Sequence, residues 1–418
     1  VVAPKTKVLL ISDNMTGASG VGIQSRYLAQ GLAATGSYKI FQLGAAIKHQ
    51  NYDIINLGPD ISVKPMDGFN NIDLYRKALA ELKPDITILF TDPRFFESVF
   101  LNHDEFHQHG PVAYWHLWDQ CEIPPDFNAQ LYKSVDLFNC INYPTYQFVK
   151  SLHPDSTNYI PHAIPDGLYR PLAPEFKLEV RRHLLPPGRE EDFVVLFVNR
   201  NAHRKRPGDV VWAFKMFLDK LEAQHGHRKA TLVMHCDPLD HEGQRIDLLA
   251  ERFGLQNNIV FQVSTPDDAG MCQIYNSADV VVNISYAEGF GLGTLNAMYC
   301  GVPIISNTTG GLTRQVINPY DGTVNGVALK PVVKNLIGNI KCPHIVQDMV
   351  SLDDVSDAFL EMYNKSPAER AKIGEVAMKY AKSEYGFGKM ISDWDKSIQK
   401  TLQGWKSRRP NWTVEDIQ

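Results

Sequence analysis

The sequence predicts an α/β protein built from two domains, each a mostly parallel sheet covered by helices. Apolar, β-branched runs such as Phe193 to Val198 and Val280 to Ile284 alternate with amphipathic stretches, the pattern of strands buried on both faces between helices. At 418 residues the chain is longer than one core normally fills. A proline-rich stretch from Tyr159 to Pro174 interrupts the alternation, and proline continues neither a helix nor a central strand. The expected division is a first domain over 1–165, a second over 166–384, and a C-terminal helix over 385–418 that crosses back to the first.

Within the first domain, Lys7 to Ser12 reads as a buried strand, followed by a glycine loop and an amphipathic helix to about Ala34. Further strands are expected at Ile40 to Leu43, Ile54 to Leu57, Ile86 to Phe90, Val112 to Trp115 and Leu137 to Ile141. In the second domain they are expected at Phe193 to Val198, Ala230 to His235, Ile259 to Gln262, Val280 to Ile284 and Pro303 to Ile305. The tail from about Ala368 to Gln403 has helical periodicity and leads into a basic, aromatic segment, Trp405 to Trp412.

Composition narrows the function classes. Hydrophobic residues at 44% and charged residues at 21% are ordinary for a globular protein. A formal net charge of -5 argues against nucleic-acid binding through the overall field. Six cysteines without paired spacing point away from a disulfide framework or a cysteine zinc site, and toward a reducing cytoplasm. No apolar run reaches the roughly 18 residues of a membrane span, and Val1 to Lys5 lacks a signal peptide's apolar core.

Candidate functional residues cluster after predicted strands, where ligands of open parallel sheets bind. Glu288-Gly289-Phe290-Gly291-Leu292 follows Val280 to Ile284; its glycines permit a tight turn, and the helix start beyond them favours an anion. Asn199 to Pro207 follows Phe193 to Val198 and offers Arg200 and Lys205 to a diphosphate. Read alone, either segment is an ordinary turn or a solvated basic loop. Thr16 to Gly22 follows the first strand, but Gly17, Gly20 and Gly22 do not complete Gly-x-Gly-x-x-Gly. His116 and Asp119 end another first-domain strand and face either a reacting group or the core. Asp393-Trp394-Asp395 lies in a predicted helix, so no metal is expected there.

These residues resemble the retaining glycosyltransferases of family 4, which have the GT-B fold of two Rossmann-like domains around a cleft. The second domain carries the resemblance through Tyr275 to Asp279, Glu288 to Leu292, Gly301 to Ile305 and Thr309 to Leu312. The first carries it through the glycine loop, His116 and Ile160-Pro161-His162. Asn199-Arg200-Asn201 and Trp118-Asp119 look most like glycosyltransferases of bacteriophages and large DNA viruses, which would place the chain in a host cytoplasm.

The resemblance implies a retaining, metal-independent hexosyl or pentosyl transfer from a nucleoside diphosphate sugar, UDP favoured, with no other cofactor. The acceptor would be a hydroxyl of a glycan, a lipid or a hydroxylated base in phage DNA. Arg200 and Lys205 become the diphosphate clamp, Glu288 a contact to sugar hydroxyls, and the amides of Phe290, Gly291 and Leu292, beside Gly289, the distal-phosphate cradle. His116 would contact the donor sugar, Gly20 and Gly22 would border phosphate and acceptor, and Asp119 would touch acceptor or sugar. Eight residues after Glu288 the family has a second glutamate for the ribose, and this chain has Asn296. An amide makes a weaker bond to a diol than a carboxylate, which leaves a silent nucleotide-sugar binder as the alternative. A Rossmann oxidoreductase is disfavoured by the incomplete glycine fingerprint.

Overall fold

The computed structural model describes residues 4–408. The first sheet contains β1 (Thr6–Asp13), β2 (Tyr38–Ala45), β3 (Ile55–Gly58), β4 (Ile61–Pro65), β5 (Ile86–Phe90), β6 (Val112–His116), β7 (Leu137–Cys140) and β8 (Thr157–Tyr159). Their order is β3-β4-β2-β1-β5-β6-β7-β8, and only β3 pairs antiparallel. The second sheet contains β9 (Phe193–Val198), β10 (Ala230–His235), β11 (Ile259–Phe261), β12 (Val280–Asn283), β13 (Ile304–Asn307) and β14 (Gly326–Leu329). All its pairings are parallel, in the order β11-β10-β9-β12-β13-β14. That is the doubly wound order, in which the chain reverses direction across the sheet between β9 and β12.

Four features differ from the sequence reading. β4 and β14 were not expected, and Tyr159, assigned to the linker, ends β8. A separate antiparallel hairpin, β15 (Val333–Asn339) and β16 (Cys342–Met349), projects from the second domain. Every residue of β15 is exposed, so the strand has no inward face to generate an alternating pattern.

Side-chain alternation sorts β6 between two cores. Trp115 is fully buried on one face, where its ring meets Trp394 at 5.5 Å and His162 at 4.6 Å. Tyr114 and His116 point to the other face and stack at 4.6 Å. Trp394 belongs to the helix Phe387–Arg408, which packs on the first domain. Its docking is close at Gly31, where a Cβ would stand 2.2 Å from Ile391 Cδ1. Asn139 Nδ2 also donates to Ser397 Oγ at 3.1 Å. One apolar cluster joins the domains, running from Leu10 and Trp115 through Tyr169, Tyr275 and Phe290 to Trp394. Among the described residues all six cysteines are free, and no helix is long and apolar enough to cross a membrane.

Candidate functional site

The reversal in strand order brings two loops of the second domain side by side. β9 and β12 are parallel neighbours, so the segments after Val198 and Asn283 leave the same edge of the sheet. In the first loop a short turn, His203–Lys205, precedes Arg206, which has φ 55 and caps the helix Pro207–His225. Arg206 itself is buried: its guanidinium bonds Asp209 and lies 4.6 Å from the centre of the Tyr286 ring. Pinned there, the chain turns Arg204 and Lys205 toward the second loop.

Glu288 receives both cations. Its carboxylate bonds Lys205 Nζ and lies 3.5 Å from an Arg204 nitrogen. Ser285 Oγ donates to it at 3.3 Å. Arg204 also donates to the Ala287 carbonyl at 2.9 Å and pairs across the domain boundary with Asp119 at 3.4 Å. Burial opposes the charge of Glu288, yet Lys205 and Arg204 outweigh it and hold its carboxyl down at about 2. The same burial lowers Lys205, despite Glu288, and raises Asp119, despite Arg204.

The turn beyond Glu288 depends on glycine. Gly291 has φ +96, and a Cβ there would come within 2.4 Å of Leu312 Cδ2. It opens the helix Leu292–Tyr299, whose start has no side-chain cap, so its leading amides and positive dipole end address the cleft. Asn296 sits on this helix and lines the cleft, as does Tyr275.

Between the domains is a cleft of about 890 Å³, large enough for a nucleotide-sized ligand. The first domain contributes the loop Asp13 to Gly20, Arg26 and Asp119; the second contributes Arg204, Lys205, Glu288 and the turn at 289–293. Gly20 faces Leu292 so closely that a Cβ would stand 3.0 Å from its Cδ1.

The structure moves three of the expected contacts. His116 does not line the cleft: it is fully buried, its Nδ1 donates to the Leu117 carbonyl, and its Nε2 accepts from the Tyr132 hydroxyl. Burial lowers it to about 4, a neutral imidazole inside the other core. His162 lines the cleft instead, against Phe290. Gly22 lies beneath the first loop; its amide donates to Ser19 Oγ at 3.0 Å, and a Cβ would meet the Asn14 carbonyl at 2.6 Å. Arg200 reaches the cleft edge, but its guanidinium is held by Asp240 at 2.6 Å and Glu242 at 2.7 Å.

Arg204 is the residue that sequence reasoning passed over, having chosen Arg200 and Lys205 from the segment Asn199 to Pro207. Its adjacency to Lys205 after a strand end was the available signal. Asp393 pairs with Lys389 at 2.9 Å, and Asp395 bonds Tyr38. Among the described residues, His103, Asp104 and His107 place potential ligand atoms within 4.8 Å, outside the cleft.

Comparisons with known proteins agree with this architecture. Residues 186–340 match the family described as glycosyl transferases group 1. A D-inositol 3-phosphate glycosyltransferase of Acidothermus cellulolyticus is 27% identical over 232 residues, 52% of this chain and 50% of that protein. Its counterpart in Corynebacterium jeikeium is 33% identical over 136 residues, 32% of this chain and 30% of that one. The chain thus spans half or less of the length of these curated relatives. Sucrose-phosphate synthase of Thermosynechococcus elongatus superposes with a TM-score of 0.71 at 17% identity, covering 96% of this chain and all of that one. Anabaena HepE, solved with UDP and glucose, superposes at 0.67 and 15% identity, covering 94% of this chain and all of that one. The fold is therefore GT-B, and its second domain carries the segment that matches the glycosyl transferases group 1 family.

Proposed function

We propose that this chain transfers a sugar from a nucleoside diphosphate sugar to an acceptor hydroxyl, with retention at the anomeric carbon. The observation that carries the reading is the Arg204, Lys205 and Glu288 cluster at the strand reversal, beside an uncapped helix start. When the bond from the anomeric carbon to the diphosphate oxygen breaks, the electron pair leaves with the diphosphate and the sugar becomes oxocarbenium-like. Arg204, Lys205 and the amides near Gly291 stand where that growing negative charge is stabilised before it forms, the arrangement that usually contributes most to catalysis. These cations supply it from the chain's own side chains, without a metal. Same-face attack by the acceptor hydroxyl, its proton passing to the departing phosphate, gives retention without a protein nucleophile.

In this assignment Lys205 keeps the clamp role, Arg204 takes the place beside it, and Arg200 guards the rim. Glu288 orients sugar hydroxyls, and Asp119 faces the acceptor. UDP is the first donor base to test, since Anabaena HepE binds it on the same fold. The acceptor panel should contain an inositol phosphate, lipid and glycan hydroxyls, and hydroxymethylated DNA. The last follows from the resemblance to phage and viral enzymes. It receives no added support from His203 to Arg206, where Arg206 is buried and Lys205 lines the cleft. The basic segment at Lys406 to Arg409 extends outside the described residues.

Asn296 supports a second reading, a binder of nucleotide sugars with little or no turnover. The family resemblance implies a glutamate at this position, gripping the ribose, and this chain has an amide there that lines the cleft. Incubation with UDP-, GDP- and ADP-sugars separates the two. Release of nucleoside diphosphate with transfer to any acceptor supports the enzyme, whereas binding with neither transfer nor hydrolysis supports the silent protein.

A further inference from the structure

A second cavity, of about 350 Å³, lies at the domain boundary and shares no lining residue with the donor cleft. The two are separated by a strip of backbone where the domains touch. There the Glu288 amide donates to the Asp119 carbonyl at 3.1 Å, and the Gly311 amide to the Glu288 carbonyl at 2.9 Å. Gly310 closes the strip with φ +47; a Cβ on it would stand 2.2 Å from the Glu288 oxygen and 2.5 Å from that of Asp119. Gln120 and Glu122 enter the cavity from the first domain, and Thr309, Thr313, Lys334 and Asp348 from the second.

Asp348 gives this space its chemistry. It is 2% exposed, and its Oδ2 accepts from Gln120 Nε2 and Thr309 Oγ1, both at 2.7 Å. Its Oδ1 has no hydrogen-bond partner. Lys334 Nζ makes a long ion pair with that oxygen at 4.0 Å, beyond hydrogen-bond distance, and is engaged by Glu122. A buried carboxylate oxygen left without a donor is costly and uncommon. Asp348 lines the cavity, and its unpartnered oxygen is the acceptor there with unused hydrogen-bonding capacity.

Size and charge select the ligand class. The volume is within the range of small-molecule sites, which begin at about 300 Å³, and a lone ion or water would fill little of it. Lys334 at the same wall is shared between Glu122 and Asp348, and a hydroxyl, which both donates and accepts, suits these groups together. The Gln120 amide and the Thr309 and Thr313 hydroxyls surround the space with groups that bond hydroxyls. We propose that this cavity is a second ligand site, for a neutral, hydroxyl-rich ring of the sugar or polyol class, with a ligand hydroxyl donating to Asp348 Oδ1. The inference does not depend on the donor cleft being catalytic. Because both domains line it, its occupant would bridge them, and donor and ring would affect each other's affinity equally.

The test is ligand-observed NMR and calorimetry on the full chain with glucose, galactose, mannose, myo-inositol and glycerol, with and without saturating UDP. At least one should bind, persist when UDP is present, and weaken at least about tenfold in Asp348→Asn. Thr313→Trp, at a partly exposed position, fills the space without removing the buried carboxylate and should abolish binding if Asp348→Asn fails to fold. The proposal is overturned if no sugar or polyol binds, if UDP displaces all binding, if Thr313→Trp leaves affinity unchanged, or if only sodium or potassium occupies the site. UDP affinity, read in the same samples, reports the donor cleft independently.

Discussion

The two halves of the cleft come from similar sheets but differ in what they bring to it. The second domain brings fixed charge: Arg204, Lys205 and Glu288 are held by a buried arginine cap at Arg206 and by a glycine turn at Gly291. The first domain brings a helix start whose amide at Gly22 is already bonded to Ser19, with Ser19 in turn bonded to Asp13 at 2.7 Å. Both loops follow strands and contain glycines, yet only the second leaves a helix start uncapped beside cations. A glycine loop after a strand therefore identifies the cleft edge, while a side-chain cap at the helix start removes one amide that an anion would otherwise use.

The largest effect is expected where that contrast is greatest. Lys205→Ala and Arg204→Ala should each lower kcat at saturating donor by about 10²–10³-fold, the loss typical of one preorganised group facing a developing anion. Initial rates with the best donor check this. Ser19→Ala, which removes the cap in the first domain, should instead cost about 1 kcal/mol of stability in denaturant unfolding with a much smaller change in rate. If Ser19→Ala and Lys205→Ala had equal effects on kcat, the division of labour between the halves would be wrong.

Next in size is Asn296→Glu. Where the ribose lies on the helix Leu292–Tyr299, restoring a carboxylate should tighten donor binding about tenfold, as measured by calorimetry. Unchanged affinity would move the nucleoside elsewhere along the cleft. Acid stability sharpens the contrast between the cores under the cleft. His116 and His162 sit near 4 and 3 in the fold, both depressed by burial, against an ordinary value of 6.5. As pH falls below 6.5 the unfolded chain takes up these protons before the fold does, so their contribution to stability is lost between about pH 6.5 and 3 and is flat above. Thermal melts should show that slope, reduced in His162→Phe. Smallest is Arg200→Ala: half-exposed and tied to Asp240 and Glu242, it should change turnover less than about threefold.

Much of the fold was legible because strands buried on both faces announce themselves as unbroken apolar runs. β1, β5, β9, β10 and β12 lie within a few residues of expectation. What escaped notice lacked that signal. β14 has four residues and begins with Gly326, where a Cβ would stand 2.0 Å from the Ile304 carbonyl. β15 is exposed along its whole length, and its hairpin partner β16 buries only Cys342, Val346 and Asp348.

The candidate site was legible by position but not by side-chain direction. Lys205 and Glu288 could be placed together because both follow strands of one sheet. Whether Arg200 or Arg204 turns inward depends on Asp240 and Glu242, which come from a different loop, and on the φ of Arg206. His116 illustrates the same limit: it ends a strand at the correct edge, but alternation along β6 turns it to the face opposite Trp115, away from the cleft-lining His162 that Trp115 touches.

The most direct test of the central claim is the affinity for UDP, GDP and ADP of the wild-type chain and Lys205→Ala, measured by titration calorimetry at one salt concentration. The account predicts that one nucleoside diphosphate binds the wild type and binds Lys205→Ala at least about tenfold more weakly. Equal affinity in the two proteins would contradict it.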